Sequence, residues 1–180
     1  MGIVGIGGLG TMGLKIAKAM NNRVVAISTS AAKEQMAKEK GADFFIVSKD
    51  ASSMASENAK LDLIINTISA EHDASVYLPL LAQGGTLVQL GACLNPHPIN
   101  QMHLITQRKS IAGCIIGGLA AHQECVDFCA EHGIAPDVQM IEAKEIAWAF
   151  KQLETVNADG VRYVIDVKKS IENKDFCAAI

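Results

Sequence analysis

Apolar residues in this chain fall into short runs, and the stretches between them repeat at helical spacing. The runs at 2–7, 23–28, 44–47, 61–66, 85–90 and 110–116 are rich in Ile, Val and Leu and predict strands. Between them the spacing predicts helices over 11–20, 31–40, 73–82 and, more briefly, 101–107. In the first helix Leu9, Met12, Ile16 and Met20 make the apolar stripe, with Lys15 and Lys18 outside; in the third, Val76, Leu80 and Leu81 face inward. Gly41 stands where a helix C-terminus is stopped. Residues 50–60 read as a polar loop with a weak helix, and Pro96 and Pro98 make 95–99 irregular. Strands apolar on both faces and joined through helices predict an α/β fold. Its core is a doubly wound parallel sheet of six strands, with helices on both faces, over about residues 1–119.

The rhythm then changes. A helix over 121–132, a strand over 137–141, a helix over 142–154 around Trp148 and a strand over 161–167 form a small C-terminal α/β extension, 120–170. About fifty residues bury too little surface to stand alone, so this extension is expected to lean on the first domain or on another partner. The last stretch, 171–180, is expected to fray.

Composition narrows the class without naming it. Apolar residues make up 49% and charged residues 19%, which excludes a disordered chain. Sixteen Lys and Arg against nineteen Asp and Glu give a net charge of −3, which argues against nucleic-acid binding. No apolar run reaches the roughly 20 residues that span a bilayer, so no membrane partner is expected, and no secretory leader is visible. Five cysteines without a CxxC pair predict buried free thiols in a reducing, cytoplasmic setting, and Cys125 and Cys129 at helical spacing lack further metal ligands.

The chemistry concentrates at the start, where six of the fifteen glycines lie within MGIVGIGGLGTMG. Gly5-Ile6-Gly7-Gly8-Leu9-Gly10 fits GxGxxG between an apolar strand and a helix. In that arrangement Gly5 permits the tight turn, Gly7 leaves bare backbone for a pyrophosphate, and Gly10 lets the helix pack close to the strand. Gly8-Leu9-Gly10-Thr11-Met12-Gly13 fits the same pattern and resembles the opening of the β-hydroxyacid dehydrogenases, so the glycines alone leave two registers open. The second strand ends in Ser28, Thr29 and Ser30, followed by Lys33, with no acid where NAD-binding folds place one to accept from the ribose 2′-hydroxyl. Hydroxyls and a lysine suit the 2′-phosphate of NADP, so NADP is favoured over NAD. Ser30 is also expected to cap the following helix.

Several further segments accompany these in a fixed order: GIVGIGGLGTMGLKIAKAM, VVAISTSAAK, GADFFIVSKD, NTISAEHDASVYLPLLAQGGTLVQLGA, RKSIAGCIIGG and VRYVIDV. Together they resemble the zinc-dependent medium-chain alcohol dehydrogenases, in the cinnamyl alcohol dehydrogenase branch. The resemblance implies a Rossmann domain and reversible hydride transfer between NADP(H) and an aldehyde/alcohol pair, with a catalytic zinc polarising the oxygen. It implies that Gly7, Gly8 and Leu9 touch the pyrophosphate, and that Ser28, Thr29, Ser30 and Lys33 hold the 2′-phosphate. Thr67 would line the cofactor edge, while Gly91, Ala92, Cys114 and Ile115 would flank the nicotinamide. It also implies a homodimer through the strand from Ser110 to Ile116.

The family carries its zinc-binding domain ahead of the glycine loop, and no Gly-His-Glu segment or four-cysteine cluster occurs in this sequence. Catalytic and metal ligands are therefore assigned to no residue here, zinc is expected only in the absent domain, and the chain alone is expected to be inactive. A glycine loop hard against the first Met is expected of a piece of a longer protein. In the family the last fifty residues return to the zinc domain, so an apolar face on 137–141 and on the Trp148 helix is expected to lie partly exposed or under a second copy. His72, after the fourth strand and near the cofactor crevice, is expected to be a helix-entry histidine rather than a catalytic base, and His122 to lie on a helix surface.

Overall fold

The computed structural model of the chain describes residues 1–93, 99–154 and 160–173. The expected irregular loop at 95–98, most of the VNADG segment and the tail from 174 lie outside those residues. Six strands form one parallel sheet: β1 (Gly2–Val4), β2 (Val25–Ser28), β3 (Phe44–Val47), β4 (Leu61–Asn66), β5 (Leu81–Gln89) and β6 (Ser110–Gly113). They lie in the order β3-β2-β1-β4-β5-β6, so the direction of winding reverses between β1 and β4.

Alternation along each strand feeds two cores. Ile3 and Ala26 join Leu14 and Ala17 of α1 (Gly8–Ala19) on one side of the sheet, while Val4 and Ile27 join Ile64, Leu78 and Leu87 on the other. Both sides being covered explains why these strands lack polar alternation.

Several boundaries differ from the sequence pattern for identifiable reasons. β1 ends at Val4 because Gly5 turns away with φ +86°, and α1 begins at Gly8 rather than at residue 11. The buried stripe of α1 is Gly10, Thr11, Leu14 and Ala17, not Leu9, Met12, Ile16 and Met20; Leu9 and Met20 are exposed. Leu14 and Ala17 enter the core on this side of the sheet, and Gly10 stands where α1 comes closest to the turn. The expected helix over 31–40 is a 3-10 turn, Ala31–Lys33, followed by α2 (Glu34–Glu39), and Gly41 ends it with φ +107°. Asp50 accepts from Ser52 N–H and caps α3 (Ala51–Ser56), so the polar stretch contains a real helix.

The expected helix over 73–82 is instead a 3-10 helix, Ala74–Leu80, interrupted by Pro79. Its repeat of three residues buries Ala74, Tyr77 and Leu80 in one line and turns Val76 outward. After α4 (Gln101–Ile105), β6 stops at Gly113, three residues short of the expected end. Its neighbour β5 ends at Gln89, opposite Gly113, and Ile115 and Ile116 are exposed.

The C-terminal part comprises α5 (Leu119–Glu131), β7 (Val138–Ile141), a 3-10 turn Ala143–Glu145, α6 (Ile146–Glu154), β8 (Arg162–Ile165) and α7 (Val167–Glu172). β7 and β8 pair in parallel as a separate two-stranded sheet. Asp166 caps α7 by accepting from Lys169 N–H, so the chain is helical where a strand end and then fraying were expected. Asp137 ties this part to the first domain through Lys15 (3.1 Å) and Lys40 (2.7 Å). The apolar face that the resemblance implies is open: Val138, Met140 and Trp148 are exposed, and α5 has no buried residue. Among the described residues the thiols are not buried. Cys114 and Cys125 are exposed and Cys93 and Cys129 half-buried, because they lie beyond the end of β6, on open α5 or in a loop.

Candidate dinucleotide site

At the carboxyl ends of β1, β2 and β4, where the strand order reverses, lies a cleft of about 910 Å³. The glycine turn forms its floor, and three glycines do three different things. Gly5 needs its positive φ, and its N–H donates to Ile27 O at 3.0 Å. A Cβ on Gly7 would meet nothing within 4 Å, so the backbone there is open to the cleft. A Cβ on Gly10 would stand 1.9 Å from Gly5 O, so only glycine lets α1 lie this close to the turn. At Gly13 the nearest atom would be 3.5 Å away, an ordinary contact. The geometric demands fall on Gly5 and Gly10 and not on Gly13, which fits the first of the two registers. No acid stands in the first turn of α1, whose leading amides lack intrahelical acceptors and favour an anion.

Gly5, Gly7, Gly8, Leu9, Ser28, Thr29, Ser30, Lys33 and Thr67 all line this cleft, while Gly10 lies buried beneath it. Thr67 spends its hydroxyl on the turn, with Val4 O at 2.9 Å and Gly5 O at 2.8 Å, and so braces the loop. Ser28 Oγ accepts from Ser30 N–H at 3.3 Å. Ser30 occupies the N-cap position without making the expected side-chain cap bond. Lys33 reaches across to the glycine turn, its ammonium donating to Ile6 O at 2.8 Å. The wall from Ile27 to Lys33 thus presents three hydroxyls and a lysine and no carboxylate; Glu71 and Glu154 are the acids that line the cleft, on other walls.

Gly91, Ala92, Cys114 and Ile115 come together in a second depression of about 310 Å³, with Gln89, Leu90 and Gly113. The backbones between the two are in close contact, since a Cβ on Gly91 would lie 2.0 Å from Ile68 O. His72 lines the large cleft, as its place after the fourth strand suggests, together with Ile68 to Glu71, which the sequence did not single out; the sequence also missed the reach of the C-terminal part. Arg162 donates to Gly8 O at 3.3 Å, and Gly160, with φ +64°, packs over Gly7. No local signal joins positions more than 150 residues apart. Among the described residues no three His, Cys, Asp or Glu side chains group so as to hold a metal ion, so these residues do not fit a catalytic zinc. No helix among them is long and apolar enough to cross a membrane.

Residues 8–131 match the sequence model of the zinc-binding dehydrogenases. The chain belongs to that family. It is 44% identical to the aldehyde reductase YahK of Escherichia coli (strain K12) over 92% of this chain and 48% of that protein. It is 41% identical to the 8-hydroxygeraniol dehydrogenase of Catharanthus roseus over 96% of this chain and 48% of that protein. Among solved structures of zinc-binding dehydrogenase relatives, a cinnamyl alcohol dehydrogenase from Sorghum bicolor superimposes with a TM-score of 0.87 at 39% identity, covering 94% of this chain and 48% of that one. The cinnamyl alcohol dehydrogenase of Helicobacter pylori, complexed with NADP(H), gives 0.80 at 35% identity with the same coverage. Both solved structures match the fold of this chain, a parallel six-stranded Rossmann sheet, and the chain spans about half the length of all four relatives.

Proposed function

We propose that this chain forms the NADP(H)-binding part of a zinc-dependent alcohol dehydrogenase that interconverts aldehydes and primary alcohols. One observation carries the reading: a cleft whose floor is bare glycine backbone at a helix N-terminus and whose adenosine-side wall holds Ser28, Thr29, Ser30 and Lys33 without a carboxylate. When bound, the reduced cofactor would give a hydride to the aldehyde and the oxidised cofactor would accept one from the alcohol. Gly7, Gly8 and Leu9 offer backbone to the diphosphate, the Ser28–Lys33 wall offers donors to a 2′-phosphate, and Thr67 keeps the turn in shape. Gly91, Ala92, Cys114 and Ile115 form the wall for the nicotinamide end. The described side chains offer no metal site, so no step through zinc is derived from them.

A homodimer across β6 and a cytoplasmic location belong to the same proposal. The β6 edge is open and flanked by exposed Ile115 and Ile116, and exposed thiols at Cys114 and Cys125 suit a reducing compartment.

Calorimetric titration of the wild-type chain and Lys33→Ala with NADP and NAD tests the cofactor assignment. The wild type is expected to prefer NADP about tenfold, and Lys33→Ala to reduce that preference to about two- or threefold. Equal affinities in the wild type, or binding of neither dinucleotide, would refute it. A module that binds NADP and transfers no hydride within the full-length protein would instead favour a non-catalytic binding role.

A further inference from the structure

Asn66, the last residue of β4, is completely buried, yet it carries four hydrogen-bonding positions on its side chain. Ile68 N–H donates to Asn66 Oδ1 at 3.2 Å, and this bond settles which end of the amide is oxygen. Asn66 Nδ2 therefore faces both Gln89 Oε1 and His72 Nε2, each at 2.7 Å. One amide hydrogen goes to each acceptor. His72 Nε2 must then present its lone pair, and the ring proton sits on Nδ1, 2.8 Å from the carbonyl of Ala70. The other tautomer would set two donors face to face at 2.7 Å while leaving Nδ1 lone pair against carbonyl oxygen. Only this arrangement gives each of these four contacts one donor and one acceptor.

The network spans the joint between the two depressions. Asn66 O accepts from Leu90 N–H (2.9 Å) and Gly91 N–H (3.1 Å), holding the wall of the second pocket. Its side chain, through His72, holds both ends of the loop 68–72 that walls the large cleft. His72 is the member that reaches the cleft surface, whereas Asn66 is sealed beneath it.

We propose that His72 is a positioning residue for the dinucleotide, acting as a neutral Nδ1–H imidazole that accepts from Asn66 and sets the loop 68–72 against the 89–91 turn. This role rests on the dinucleotide reading above. It places no proton transfer on His72, whose two nitrogens are both occupied within the protein.

Long-range proton–nitrogen correlation on the nitrogen-15-labelled chain reads the tautomer directly, and NADP titration reads the consequence. The expected spectrum is that of an Nδ1–H imidazole at His72. His72→Ala is expected to weaken NADP binding about five- to tenfold, the size of one or two net hydrogen bonds. His72→Gln, whose amide oxygen replaces Nε2 as acceptor, is expected to recover affinity to within about twofold. An Nε2–H spectrum, His72→Ala binding like the wild type, or His72→Gln binding as weakly as His72→Ala in a folded chain would each overturn the role. A wild-type chain that binds no dinucleotide yet shows the Nδ1–H spectrum would overturn the dinucleotide reading and this role with it, leaving a purely structural lock.

Discussion

Replacing Gly10 with alanine tests the geometric basis of the glycine turn. The added methyl would sit 1.9 Å from Gly5 O and 3.0 Å from Gly5 C, both backbone atoms. Relief requires α1 to retreat from the turn by about 1 Å, since close-packed interiors leave no free space to absorb it. Gly5 cannot yield instead, because its N–H is bonded to Ile27 O and its carbonyl to Thr67 Oγ1. Overpacking of this kind costs about 1–3 kcal/mol, and a rigid backbone partner puts it at the upper end. A strained bond from Thr67 adds about 1 kcal/mol, while the gain in helix propensity returns about 1 kcal/mol. The net expectation is a loss of about 2–3 kcal/mol, or a fall in Tm of about 5–10 °C for a chain of this size. Gly13→Ala, in the same helix, is the internal control: its methyl would touch Ile3 at 3.5 Å without conflict. It is expected to hold or raise Tm, by about 2–4 °C at most. Thermal and urea unfolding followed by circular dichroism measure both. Equal stability of Gly10→Ala and wild type, or equal losses in the two variants, would refute the assignment of the turn to Gly5, Gly7 and Gly10.

Glu57, buried under Arg23 in a two-pronged bond (2.7 and 2.8 Å), has its carboxyl held below the ordinary range by that guanidinium. A depressed carboxylate contributes stability above its unfolded titration range and loses it as pH falls through the lower folded value, so urea stability should decline on acidification below about pH 4.5. Glu57→Gln should lower stability at pH 7 by about 1–3 kcal/mol, less than a fully buried pair because Arg23 is partly exposed, and should flatten that acid decline. An unchanged acid profile in Glu57→Gln would sink the assignment. Asp137→Asn should loosen the C-terminal part from α1 and α2, raising amide exchange in β7 and β8 while changing global stability by no more than about 1 kcal/mol. Unchanged protection there would show that the Lys15–Asp137–Lys40 cluster does not hold the two parts together.

Much of the site was legible locally. The turn needs glycine at Gly5 for its positive φ and at Gly10 where backbone meets backbone, and both glycines stand in one short pattern of consecutive residues. The absence of an acid after β2 is likewise a property of consecutive residues. What escaped were contacts between distant segments: Lys33 on Ile6 O, Arg162 on Gly8 O, and the Asn66–His72–Gln89 network. His72 illustrates the limit. Its sequence neighbours make it a residue at the start of a helix, and only the buried amide of Asn66, six positions back and across a strand end, gives its ring a defined tautomer.

The sequence by itself determined which segments are strands, their chain order and the glycine-rich turn, because hydrophobic period and backbone freedom act over a few residues at a time. Tertiary structure alone decided the rest. It selected one glycine register through the approach of α1 to Gly5, and turned Gly10, Thr11, Leu14 and Ala17 rather than Leu9 and Met20 toward the sheet. It ended β6 at Gly113, opposite the last residue of β5, and made 74–80 a 3-10 helix that buries Ala74, Tyr77, Leu78 and Leu80. Each of these depends on where a second segment lies in space, and separation along the chain carries no direct record of that distance.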